Sequence, residues 1–271
     1  MTRQRNDLLS TFVGLATRYI AFVGTESVPD NDFRLLGMVR DAVAPDLGDA
    51  ADAAVAAIRP AIDLVFDESA PATGTRWGGL PTLPPDVEWP RHDGLPMSLI
   101  VTVDCVEMAR LLRDDWPYPR TGELLFFHCD YATADYSYED SRVGRIVHVP
   151  GTDSRREPPV EFRDYGVYPE VAYRVNRRLM FPHYMAYDEV GADLLAMMSA
   201  AERAPGILGT GSWDYLLGHS DGSCGDLRPL LHVEAGPGTH WGEQVAISIW
   251  TDVEAFAEGR LGEVHVACEI A

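Results

Sequence analysis

Between Pro71 and Pro96 the chain places six prolines, four glycines and two tryptophans, reading TRWGGLPTLPPDVEWPRHDGLP from Thr75 onward. Proline fixes φ and donates no backbone N–H, so neither a helix nor a central strand is expected to run through this segment. Trp77, Leu83, Val87 and Trp89 want burial, which a solvated linker does not offer. The segment therefore reads as an ordered, extended cover laid against a β-sheet. It also separates two stretches of different period.

Before it, residues 1–70 read as helical. Leu8, Phe12, Leu15, Tyr19, Phe22 and Val23 recur at the spacing of one helix face. Phe33, Leu36, Val39 and Val43 suggest a second helix, capped by Asn31 or Asp32 and stopped at Pro45. Asp49 to Ile58 is alanine-rich and reads as a third, ended by Pro60. After the proline segment the period becomes two: Leu99, Val101, Val103 and Cys105 alternate with Ile100, Thr102 and Asp104, and Val264, Val266, Cys268 and Ile270 alternate with His265, Ala267 and Glu269. Further strands are expected at 124–130, 146–149, 160–163, 171–175, 229–234 and 245–250. A helix is expected over Tyr187 to Arg203, and two short helices open on the capping boxes Asp104-Cys-Val-Glu107 and Thr251-Asp-Val-Glu254. The fold class is α+β: an N-terminal helical section over 1–70, then a β-rich domain over 71–271 with two related antiparallel strand units, an outline of internal duplication.

Charge narrows the partners. Asp and Glu number 42 against 22 Lys and Arg, a formal net charge of −20. Such a field repels phosphate backbones and anionic lipid, so no nucleic-acid or membrane partner is expected, and it attracts basic proteins. Cys105, Cys129, Cys224 and Cys268 form no C-x-x-C pair and read as buried thiols of a reducing compartment. Leu8 to Gly24 carries Arg18 and suits neither a membrane span nor a signal peptide, which makes the cytoplasm the expected location.

Three segments resemble the YwqG-like family of bacterial proteins of unknown function. They are Arg76-Trp-Gly-Gly-Leu-Pro81 running on to Asp104, then Leu216-Leu-Gly-His-Ser-Asp221 with Gly225-Asp226, then Trp241-Gly-Glu243 before a strand. The resemblance covers roughly 70–271 and implies a duplicated, β-rich α+β domain, with no reaction attached. Family glutamines in the first strand of each unit, and before the Gly-Asp pair, are replaced here by Thr102, His232 and Cys224. The exchanges either alter a shared site or replace strand hydrogen-bond partners.

The densest chemistry lies in Gly218 to Asp226. His219, Asp221, Cys224 and Asp226 could form a ligand site with Arg76, Trp77 and Trp241 as further walls. The alternative is an Asx-type turn, with the tryptophans as structural pins. His219, Cys224, His232 and His240 match no known zinc spacing, so no metal, cofactor or catalytic residue is assigned. Arg174, Arg177 and Arg178 read as a solvated strand edge. Three functions follow: a non-catalytic binding protein that neutralises a basic partner, in the manner of an immunity protein; an enzyme or small-ligand binder using the Gly218–Asp226 loop; or a structural, oligomer-forming module. The missing catalytic signature places the first ahead.

Overall fold

The computed structural model describes residues 29–71, 73–129, 143–151, 154–160, 166–209, 211–220, 227–239, 241, 244–258, 260 and 264–270. The expected helix between Leu8 and Val23 lies outside them. The chain divides into two units, Met1–Arg34 and Leu35–Ala271. Of the first, only the opening turns of α1 are described.

Helix α1 is Pro29–Leu47 and α2 is Ala51–Ala56. Val39, Val43 and Leu47 recur every four residues and are buried, as the periodicity requires. Pro45 does not stop α1 but sits within it. The next element overturns the helical reading of the whole N-terminal section: Arg59–Asp67 is strand β1, nine residues long. Pro60 is tolerated because it stands second in the strand, where it opens the ladder instead of interrupting it.

The remaining strands are β2 (Arg76–Trp77), β3 (Arg91–His92), β4 (Leu95–Pro96), β5 (Ser98–Asp104), β6 (Glu123–His128), β7 (Gly144–Val149), β8 (Val171–Met180), β9 (Tyr215–Leu217), β10 (Arg228–Glu234), β11 (Gln244–Thr251) and β12 (Val264–Ile270). All but β3 and β4 join one antiparallel sheet in the order β12-β11-β10-β9-β1-β8-β2-β5-β6-β7. Its two outer strands curl toward each other. A Cβ on Gly144 of β7 would lie 2.4 Å from Val266 Cγ2 of β12, so the sheet is a nearly closed barrel.

Strand β2 breaks the expectation that no central strand passes through the proline segment. It pairs with both β5 and β8. No proline falls between Pro71 and Pro81, so Arg76 and Trp77 keep the N–H groups a central strand needs. Beyond them the segment is the expected cover. Leu83 and Trp89 are buried, Trp89 packs edge-on against Phe127 of β6, and its indole donates to Met97 O at 2.9 Å. Arg156 fastens the cover by donating to the carbonyls of Pro84 and Val87.

The two expected short helices form. Asp104 caps α3 (Cys105–Leu112), accepting from Val106 N at 2.8 Å and Glu107 N at 3.2 Å. The reciprocal arm runs through Thr75: its hydroxyl donates to Glu107 Oε2 at 3.0 Å and accepts from Asp104 N at 3.2 Å. The cap of α7 (Val253–Ala257) is Asp252, one residue past the expected Thr251. The helix expected over 187–203 is broken. Gly191, at φ 70°, ends α4 (Tyr187–Val190), and Asp193 caps a new helix, α5 (Leu194–Arg203), followed by α6 (Pro205–Leu208). Within the second unit these helices pack with α1 and α2 around Val39, Val43, Phe181, Met197 and Ala200. Val160 forms a 3₁₀ turn instead of starting a strand, and 161–163 fall outside the described residues.

Candidate functional site

Trp77 shows what the glycine-tryptophan segments do. The indole has no exposed surface and stacks on Tyr168 with ring centroids 5.7 Å apart; Trp241 lies 6.2 Å away. Trp77 Nε1 donates to Pro237 O at 3.1 Å, and Trp241 Nε1 donates to the Tyr168 hydroxyl at 3.1 Å. The backbone is shaped to this packing. Gly78 has φ 59°, and a Cβ there would lie 2.4 Å from Pro169 O. Gly236 passes beneath Trp77, where a Cβ would meet the ring at 2.6 Å. Trp77 and Trp241 do come together, as packed barrel residues with their indole donors satisfied.

Arg76 is buried on the opposite face of β2. Its Nη1 donates to Gly74 O at 2.8 Å and to Glu123 Oε1 at 3.1 Å, and its Nε stands 3.6 Å from Glu170 Oε2. Thr82 also donates to Glu123, and Arg155 pairs with Glu170. Two arginines thus face two carboxylates in one matched set, a structural ion network with little charge left for a ligand.

His219 belongs to the other end of the barrel. Its ring Nε2 lies 2.9 Å from Ala57 O, and its backbone N–H points at Met180 Sδ. A carbonyl can only accept, so Nε2 carries the proton. Burial, then Arg59, push its pKa down to about 4. Arg76 pairs with Ala172 near the start of β8, whereas His219 rests on Met180 at its end. Eight residues of strand separate the two by about 26 Å at ~3.3 Å each. The structure does not bring Arg76 and His219 into one pocket, and a site that needs both is not formed. Asp221, Cys224 and Asp226 lie outside the described residues, as does His240.

Other sequence candidates have structural work. His232 pairs with Ser248 Oγ at 2.8 Å and stacks on Tyr215. Among the described residues no three His, Cys, Asp or Glu side chains gather as a metal site. Arg178 pairs with Asp63 at 2.9 Å and lies over the Tyr215 ring. Strand β2 reaches only Val171 and Ala172, so, among the described residues, 174–180 of β8 have a ladder partner on one side only, which leaves the arginine run on an open stretch of strand. Burial and the neighbouring Asp104 carboxylate push the Cys105 thiol up to about 12, which removes it as a nucleophile.

Two surfaces escaped the sequence reading. One is a pocket of about 300 Å³ where the starts of β1 and β10 meet the end of β9, lined by Arg59 and Arg228 among others. The signal was an Arg-Pro pair opening each of those strands. The other is a face of α5 and the turn before α4, where Leu194, Leu195, Met198, Tyr184 and Met185 are exposed, Leu195 to 72%. Its signal was the run Leu-Leu-Ala-Met-Met, apolar around more of the helix than a buried stripe needs. Asp188 and Glu189 of α4, Asp193 at the cap of α5 and Glu202 near its end are also exposed. No helix among the described residues is long and apolar enough to cross a membrane.

No curated protein matches the chain. Residues 75–203 match the family model described as a domain of unknown function, DUF1963, so the chain is similar to that uncharacterised family from β2 through α5.

Proposed function

We propose that this chain is a non-catalytic binding protein that meets a basic protein partner through the exposed face of α5. One observation carries the reading. Leu195 and Met198 are exposed one turn apart on α5, with exposed Asp193 at its cap and exposed Glu202 a turn beyond Met198, and no Lys or Arg occurs between residues 184 and 202. Apolar area supplies contact energy once water is expelled, and the carboxylates steer and orient a cationic partner. A net charge of −20 extends that attraction beyond the patch. The complementary surface is a basic segment with apolar anchors.

The test is capture from native lysate at low and moderate salt, with the chain and its Leu195→Asp, Met198→Asp variant side by side. Retention of a basic protein by the first and not the second supports the reading. Equal retention by both, or none by either, overturns it. We also propose kinship with the YwqG-like proteins, a cytoplasmic location and an internal duplication. The last is supported by two strand–Asp-capped helix–strand units, β5-α3-β6 and β11-α7-β12.

A further inference from the structure

The Arg59–Arg228 pocket is unlike the rest of this acidic chain. Arg59 opens β1, Arg228 opens β10, and Gly218 follows β9 after Leu217, whose φ is 61°. Tyr118, Pro229 and Leu217 add apolar wall to a volume of about 300 Å³, the lower end of small-molecule sites. Among the described residues neither guanidinium has an ion pair or a side-chain hydrogen bond. Arg76 and Arg178, by contrast, are matched, the first by Glu123 and Glu170 and the second by Asp63. Asp115 lines the pocket, and Glu189 acts on Arg59 from α4, but neither approaches as a salt bridge. Arg59 is half-buried and its proton is held less tightly than usual, through burial and then the like charge of Arg228. His219 stands in the field of both arginines. Two like-charged guanidiniums that line one pocket, with no salt bridge among the described residues, are costly unless something anionic joins them.

We infer that this pocket binds a small organic anion, with its carboxylate or phosphate head between Arg59 and Arg228 and a compact apolar body against Tyr118, Leu217 and Pro229. No residue of α5 lines the pocket, so either proposal can fail alone.

Calorimetric titration of the full chain with benzoate, phenyl phosphate, inorganic phosphate and neutral benzyl alcohol, at constant ionic strength, tests it. Benzoate or phenyl phosphate is expected to bind at millimolar concentration or better, with benzyl alcohol silent; the tighter of the two identifies the head group. Arg59→Gln and Arg228→Gln should each weaken binding roughly tenfold or more, the worth of a charge-assisted hydrogen bond. A second measurement needs no ligand affinity: Arg228→Gln should raise the melting temperature of the free chain, by relieving repulsion of Arg59, and should lose the rise that the anion gives the parent. Silence with all three anions, equal binding of benzyl alcohol, or variants that bind like the parent would overturn the assignment.

Discussion

His128 offers the sharpest test of the barrel interior. It ends β6 opposite Ser98, is fully buried with neither ring nitrogen hydrogen-bonded among the described residues, and meets Trp241 edge-on at 5.5 Å. Burial, reinforced by His92, pushes its pKa down to about 3 from the ordinary 6.5. Between those two values the unfolded chain binds a proton that the folded chain refuses, so folding stability is lost as pH falls below 6.5. At about 1.4 kcal/mol per pH unit, the loss is about 2 kcal/mol by pH 5 and about 5 kcal/mol in full. His219, held to about 4, acts in the same direction. Asp214, raised to about 6 by burial, acts oppositely, because the folded carboxyl takes its proton first and so gains stability below that pH. Replacing His128→Leu isolates one group. At pH 7.5 the variant should be more stable by about 1–3 kcal/mol, the cost of an unsatisfied buried polar group. At pH 5 the advantage should grow by a further ~2 kcal/mol. Urea unfolding followed by tryptophan fluorescence at both pH values measures this. If the variant loses stability with acid as steeply as the parent, the buried neutral imidazole is not the cause and the reasoning fails.

Three further outcomes follow from the packing. Trp77→Ala should cost about 3–5 kcal/mol, since the indole is fully enclosed and its space cannot collapse onto Tyr168 and Trp241; chemical denaturation measures it. Asp63→Ala should destabilise by about 3–5 kcal/mol by stranding Arg178 against Tyr215, and the double change with Arg178→Met should recover most of that in a double-mutant cycle. In a Cys224→Ser, Cys268→Ser background the native chain should not react with a thiol reagent at pH 8, whereas the denatured chain should release two thiols, because Cys105 and Cys129 are both buried.

Consecutive residues carry their own period, and that much could be read without coordinates. The alternation of Val101 and Val103 and of Val264 and Val266 follows from every second side chain facing one side of a strand, whereas a register shift between Leu99 and Val101 puts Leu99 out of that series. The cap at Asp104 follows from the orphan N–H groups of a helix start. Leu83 and Trp89 declared an ordered cover by being too apolar for solvent. Strand β1 was hidden because Pro60 and the alanines before it argue locally for a helix end, while its place between β8 and β9 comes from partners over a hundred residues away. The separation of Arg76 from His219 was hidden for the same reason: which end of a strand a loop reaches depends on pairing, not on composition. The pairing of Arg59 with Arg228, and of Trp77 with Pro237 O across 160 positions, exists only once the sheet has curled. Local preference belongs to a few neighbouring residues, whereas barrel closure and the pocket at its end are set by contacts that no window along the chain contains.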